Sequence, residues 1–207
     1  MSDSPTHKRE SNANPAQPPE GALRGLGEAA IGRLRGLTPA PSWNPPDCGD
    51  IDMRIAADGT WFYCGSPIGR APLVQLFASI MRKEGERYVL VTPVEKVGIR
   101  VDDAPFLAIE MRIDDELDEP RLTFRTNVED MVTVGREHPL RFERGASEGL
   151  KPYVRVRGDL WALVKRALFY DLVGLGQTER LESEDWFGVR SRGRFFPMCP
   201  ASEIEGL

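Results

Sequence analysis

The stretch IDMRIAADGTWFYC (51–64) predicts a β-hairpin, and the rest of the fold is read outward from it. Apolar residues alternate with polar ones up to Asp58-Gly59, the dipeptide that most often forms a two-residue hairpin turn. With a two-residue loop, Ile55 lies opposite Phe62, and this pairing sets the register of the hairpin. Because side chains alternate along a strand, the register also determines which of them reach the core.

The two faces of this hairpin are predicted to differ in chemistry. The register places Phe62 and Cys64 on an apolar face, where Cys64 would be a small buried side chain. The opposite face carries Trp61 and Tyr63, large aromatics that another surface must partly cover. An uncovered Trp61/Tyr63 face would suit a protein partner, which gives one functional hypothesis: a protein-interaction module.

Composition excludes several classes of function. The net charge of −5 argues against nucleic acid as a partner, because such binding depends on Lys and Arg neutralising phosphates. No stretch approaches the roughly 20 apolar residues that cross a bilayer, so no membrane partner is expected. Three cysteines without a CxxC pair indicate reduced thiols and a cytoplasmic location. With two histidines and no ligand spacing, neither a metal nor a cofactor is predicted.

Four segments are predicted along the chain. Residues 1–42 form a leader that is disordered apart from a marginal helix, because its first half lacks large aliphatic side chains after Met1. Residues 43–106 form an N-terminal lobe and residues 107–177 a C-terminal lobe. Residues 178–207 form an irregular tail.

Two apolar stretches predict helices of similar length. These are LVQLFASIMRKEG (73–85) and LWALVKRALFYDLVG (160–174), and each follows a strand-like segment and a glycine-containing hinge. Asp159 is expected to cap the second helix. The repeated strand–hinge–helix motif indicates a duplicated structural unit, and the expected fold class is α+β with mostly antiparallel strands. Strands are expected at 87–91, 94–101, 105–113 and 121–126.

Nucleophilic catalysis needs a nucleophile, a base and an orienting group. Ser66 or Thr92, with His138 and either Asp102 or Asp103, can be written as such a set, and this gives an enzyme hypothesis: a hydrolase that uses His138 as its base. No nucleophile-elbow signature supports that set, so no catalytic residue is assigned and the chain is expected not to be an enzyme.

The stretch LVTPVEKVGIRVDDAPF (90–106) allows two interpretations. Its alternating β-branched residues predict a strand pair in which the polar residues form an exposed bend. Alternatively, Thr92, Glu95 and Lys96 line a groove beside Arg70. Composition favours the bend.

Six short blocks in this chain resemble, in the same order, a family of bacterial, largely proteobacterial, proteins of unknown function. The resemblance covers about residues 43–175. It implies two small α+β lobes and a ligand-binding part in signal transduction, and it carries over no catalytic residue. The blocks are GSPI-R (65–70), LVTPVEK (90–96), DDAPF (102–106), TN (126–127), HP (138–139) and PYV-VR (152–157).

The blocks combine donor groups and cations with turn-forming residues. They therefore predict binding or sensing of a small anionic metabolite in a regulatory role, with Arg70, Lys96 and Arg155 supplying positive charge. The predicted ligand-binding residues are Ser66, Arg70, Thr92, Glu95, Lys96, Asn127, His138 and Arg155. The hydrolase and the protein-interaction module are the alternatives.

Overall fold

The computed structural model describes residues 43–114, 120–145 and 149–206. The predicted leader, residues 1–42, lies outside this range. The two α-helices of the described chain are α1 Ala71–Ser79 and α2 Arg166–Gly174, and a 3-10 helix covers Ala201–Gly206. The strands are β1 Asp47–Ile55, β2 Trp61–Tyr63, β3 Ser66–Pro67, β4 Met81–Glu84, β5 Arg87–Val91, β6 Lys96–Val101, β7 Phe106–Asp114, β8 Arg121–Thr126, β9 Met131–Thr133, β10 Leu140–Arg144, β11 Leu150–Arg157, β12 Leu160–Val164, β13 Gln177–Leu181, β14 Glu184–Ser191 and β15 Arg194–Pro200.

Two six-stranded sheets share one topology. The first sheet has the order β3-β2-β1-β6-β5-β4, and the second has the order β10-β11-β12-β7-β8-β9. In each sheet two three-stranded antiparallel meanders meet at a central parallel pair, β1 with β6 and β12 with β7. The repeated unit in the described chain is therefore a pair of meanders rather than a strand, a hinge and a helix.

The predicted α+β class is wrong, because the described chain is mostly β-structure. Both predicted helices were too long: 81–84 is strand β4 and 160–164 is strand β12. Burial alternates along β12, as on a pleated strand, whereas its unbroken run of apolar letters also fits a buried helix. Asp159 lies in the β11–β12 turn and does not cap a helix, since α2 begins at Arg166.

The C-terminal segment is not irregular. Strands β13, β14 and β15 form a third, antiparallel sheet. Ser191 fastens it to the second sheet, since its buried hydroxyl donates to the carbonyl of Val134 (2.9 Å) and accepts from the amide of Leu122 (3.1 Å). The aromatic residues of this segment thus belong to ordered strands that contribute to the core.

The opening hairpin has a different register from the predicted one. Ile55 pairs with Trp61, because the loop has three residues, 57–59, closed by a hydrogen bond from the amide of Ala56 to the carbonyl of Thr60. Gly59 ends the loop at φ +80°, the left-handed conformation that three-residue hairpin loops require. A shift of one residue moves every side chain of β2 to the other face.

This shift overturns the predicted faces. Trp61 is 1% exposed and stacks on Phe77 of α1, with ring centroids 6.1 Å apart. The hypothesis of an uncovered Trp61/Tyr63 face for a protein partner is therefore wrong. Phe62 faces outward, and Cys64 is exposed in a turn rather than buried.

Candidate functional site

Thr92 and Glu95 lie in the turn between β5 and β6. Thr92 is only 5% exposed, and its hydroxyl accepts hydrogen bonds from the amides of Val94 (3.3 Å) and Glu95 (3.1 Å). These contacts satisfy backbone groups that the turn leaves without ladder partners. The structure gives Thr92 a turn-forming role at this position.

Lys96 lies next to this turn but pairs with another strand. Its Nζ donates to Oε2 of Glu84 at 2.7 Å, and its side chain is 14% exposed. Ser66, in β3, and Arg70, just before α1, are exposed. Within the described part of the chain, neither makes a side-chain hydrogen bond or ion pair with Lys96.

The structure brings two further predicted site residues into contact, His138 in the bend before β10 and Arg155 in β11. Nδ1 of His138 lies 3.0 Å from the carbonyl oxygen of Arg155, and Nε of Arg155 donates to the carbonyl of Gly158. Asn127 is placed separately, where its Oδ1 accepts the amide of Leu107 at 3.0 Å. All three side chains are thus engaged with backbone.

The two aspartates of the hydrolase hypothesis make contacts elsewhere. Asp102 accepts a hydrogen bond from Arg54, and Asp103 accepts from Tyr153 and Lys151. Among the described residues, no hydrogen bond joins His138 to Ser66, to Thr92 or to either aspartate. In the described part of the chain, no group of three or more His, Cys, Asp or Glu side chains lies close enough together to hold a metal ion.

A groove of about 430 Å³ opens where strand β1 bulges away from β6. Asp50 pairs with Gly98 and Arg54 with Arg100, so four residues of β1 span two of β6. Such bulges re-aim side chains and interrupt the ladder. The charged and aromatic side chains that line the groove are those of Asp50, Asp52, Arg54, Phe62 and Arg100.

Two arginines stand side by side in this groove. Arg54 and Arg100 are register partners on β1 and β6. Arg54 donates to Oδ2 of Asp102 (3.1 Å), and its guanidinium lies 5.0 Å from the centroid of the Phe62 ring. Arg100 is exposed and has no side-chain partner among the described residues. Like charges in directly opposite positions repel, so an anion between them would be stabilising.

The acidic side of the groove is partly neutralised. Arg87 donates a hydrogen bond to Asp50 through Nε (3.0 Å) and also binds Asp47. The hydrogen bond between Arg87 and Asp47 lowers the pKa of the Asp47 carboxyl. Gly98 makes room for the arrangement, since a Cβ there would lie 1.9 Å from Oδ1 of Asp50. In the described chain, Asp52 has no hydrogen-bond or ion-pair partner for its carboxylate.

The pKa of the nearby Tyr63 phenol is raised. Burial is the main cause, followed by the neighbouring thiol of Cys64, while the charge of Asp52 adds a smaller effect.

Comparison with known proteins assigns the family. A model described as the N-terminal domain of DUF1285, a domain of unknown function, matches residues 38–104. The model of the DUF1285 C-terminal domain matches residues 105–198. The chain belongs to the DUF1285 family. The resemblance to a bacterial family of unknown function is thereby confirmed at the level of the family.

Two solved structures of DUF1285 proteins are similar to this chain. A DUF1285 family protein from Silicibacter pomeroyi DSS-3 is 48% identical, covers 86% of this chain and 98% of its own, and superposes with a TM-score of 0.75. One from Shewanella baltica OS155 is 28% identical, covers 60% of this chain and 91% of its own, with a TM-score of 0.48. No curated protein matches the chain.

The two DUF1285 domains meet between β6 and β7. The N-terminal domain contains the first sheet and its groove, and the C-terminal domain contains the second sheet. Asp103, at the end of the N-terminal domain, accepts hydrogen bonds from Tyr153 Oη (2.7 Å) and Lys151 Nζ (2.6 Å) of the C-terminal domain. Among the helices of the described residues, none combines the length and the hydrophobicity that a membrane-spanning helix needs.

Sequence reasoning missed the residues of the groove. Asp50, Asp52 and Arg54 alternate with the buried side of β1, and this pattern predicts only a solvated strand face. Arg100 stands outside the quoted blocks of polar residues. The bulge that opens the groove depends on pairing with β6, which is more than 40 residues away and leaves no local mark in the sequence.

Proposed function

We propose that this DUF1285 protein binds a small anionic ligand in the groove between β1 and β6, without catalysing a reaction. The observation that carries the proposal is the pair Arg54 and Arg100, two guanidinium groups on register-paired positions. Arg54 has one carboxylate partner, and Arg100 has none in the described chain. Guanidinium groups present paired donors in the geometry that carboxylates and phosphates accept.

The groove has the mixed character of small-ligand sites. Phe62 gives it an aromatic wall, and Arg54 lies over that ring, so its guanidinium is already oriented. A volume of about 430 Å³ suits a small metabolite, since ligand pockets commonly measure about 300 to 1,000 Å³. The lining residue Asp50 is itself held in place by its ion pair with Arg87.

A regulatory use of this binding rests on one connection. Arg54 binds Asp102, and the next residue, Asp103, binds Tyr153 and Lys151 of the C-terminal domain. An anion that competes for Arg54 would release Asp102, in the segment that joins the two domains. If the protein senses the ligand rather than storing it, this competition weakens the hydrogen bonds that Asp103 accepts from Tyr153 and Lys151.

The test uses 3-phenylpropanoate, which carries one carboxylate and an aromatic ring. In an NMR titration of the full chain, we expect amide shifts concentrated in β1 and β6. Arg100→Gln should weaken binding about tenfold, the loss expected for one charged hydrogen bond. Arg121→Gln is the matched control, because Arg121 is also an exposed strand arginine without a side-chain partner among the described residues. Shifts outside the groove, or equal affinity in both variants, would refute the proposal.

A further inference from the structure

We infer that the ligand of the groove is a zwitterion, carrying an ammonium group as well as its anionic group. The inference rests on the proposed anion site and adds the chemical class of its ligand. Two lining side chains of opposite charge, Asp52 and Arg100, have no ion-pair partner within the described chain. The other charged lining residues, Asp50 and Arg54, are paired with Arg87 and Asp102.

Asp52 belongs to the groove because of the bulge. It lies between Asp50 and Arg54, in the part of β1 that has no register partner on β6. On its other side, its carbonyl accepts the amide of Cys64 (2.9 Å), which fixes its backbone against the end of β2. Asp52 and Arg100 therefore line the same groove from different strands.

This pattern of charge discriminates between ligands. A ligand with only an anionic group would meet attraction from the arginines and repulsion from Asp52. A ligand with an adjacent ammonium group turns that repulsion into a second ion pair. Phe62 adds an aromatic wall against which an apolar substituent can pack. An amino acid with an apolar side chain has these three features.

The test compares three probes built on one skeleton. L-phenylalanine has the ring, the carboxylate and the ammonium group; 3-phenylpropanoate lacks the ammonium group, and 2-phenylethylammonium lacks the carboxylate. In NMR titrations of the full chain, L-phenylalanine should bind about fivefold more tightly than 3-phenylpropanoate, the factor that corresponds to one partly exposed ion pair of about 1 kcal/mol. 2-Phenylethylammonium should bind more weakly than L-phenylalanine.

Asp52→Asn should abolish the advantage of L-phenylalanine and leave 3-phenylpropanoate bound at least as tightly as before. Asp159→Asn is the control, because Asp159 is an exposed turn aspartate without a side-chain partner in the described chain, and it should change neither affinity. An unchanged thermal midpoint shows that Asp52→Asn folds normally, and the comparison of probes in the unaltered protein is a test that needs no variant.

The outcomes separate this inference from the anion site. If 3-phenylpropanoate binds in the groove, depends on Arg100 and matches or exceeds L-phenylalanine, the zwitterion assignment fails while the anion site stands. If the advantage of L-phenylalanine survives Asp52→Asn, the role of Asp52 is overturned. If no probe shifts the amides of β1 and β6, both proposals fail.

Discussion

The contact between the two domains predicts that Tyr153→Phe destabilises the protein through one hydrogen bond. Tyr153 is 4% exposed, and its hydroxyl donates to Oδ1 of Asp103 at 2.7 Å. Phenylalanine keeps the ring and its packing against the guanidinium of Arg141, which lies 5.1 Å from the ring centroid. The substitution therefore removes the hydroxyl and leaves a carboxylate with one partner fewer.

The magnitude follows from the environment of the carboxylate. A hydrogen bond to a charged group contributes about 1.5–3 kcal/mol. Asp103 is 14% exposed and keeps Lys151 at 2.6 Å, so the loss should lie near the lower limit, at about 1.5 kcal/mol. For a chain of this length that corresponds to a fall in Tm of about 3–6 °C.

The assay is urea unfolding of the full chain at pH 7, with thermal unfolding as a second measurement. Tyr170→Phe is the matched control, because Tyr170 is 55% exposed and, among the described residues, its hydroxyl accepts a hydrogen bond from Arg166 alone. Loss of that hydroxyl should cost less than about 0.5 kcal/mol. In an Asp103→Ala background the Tyr153 hydroxyl loses this acceptor, so Tyr153→Phe should also cost less than about 0.5 kcal/mol there. An equal cost in both backgrounds would refute the hydrogen bond as the cause.

Three further outcomes are expected. Burial, and next the hydrogen bond to a carboxylate, raise the pKa of the Tyr153 phenol in the folded protein. The stabilisation of the folded state by the neutral phenol is therefore complete below about pH 10 and is lost as the pH rises toward the folded-state pKa. The difference in unfolding free energy between the unaltered protein and Tyr153→Phe should accordingly be smaller at about pH 11 than at about pH 8. Gly98→Ala should separate Asp50 from Arg87, because the new Cβ would clash with both side chains, and the Nε resonance of Arg87 in an NMR spectrum should report the change. Thr126→Val should lower stability by about 1–3 kcal/mol in urea unfolding, since the buried hydroxyl accepts two backbone N–H groups of the following turn, whereas Thr126→Ser should cost less.

Strands with clear alternation could be predicted from the sequence. The segments expected at 87–91, 94–101, 105–113 and 121–126 correspond to β5, β6, β7 and β8. In β8, and at Val97, Ile99 and Val101 of β6, apolar residues recur at a period of two. β5 and β7 are instead short runs rich in apolar side chains that are buried together. In both cases a pattern within one strand is enough.

The predicted helices failed where two elements share one apolar run. The run from 73 to 85 is helix only as far as Ser79, and the chain then re-enters the first sheet as β4. Gly85, at φ +60°, turns β4 into β5 rather than ending a helix. Apolar residues indicate burial in a helix and in a strand alike. The pairing with β5 is what makes residues 81–84 a strand rather than a continuation of the helix.

The same limit explains why the groove was not predicted. Asp58-Gly59 fits both a two-residue and a three-residue hairpin loop, and the packing of Trp61 against Phe77 decides in favour of the latter. That choice turns Phe62 outward, beside Arg54, and so creates the aromatic wall of the groove. A site made of strand positions thus depends on register, which is a property of two paired strands. The sequence blocks rich in polar residues, by contrast, contain residues such as Thr92 and Thr126, whose hydroxyl groups accept backbone hydrogen bonds within turns.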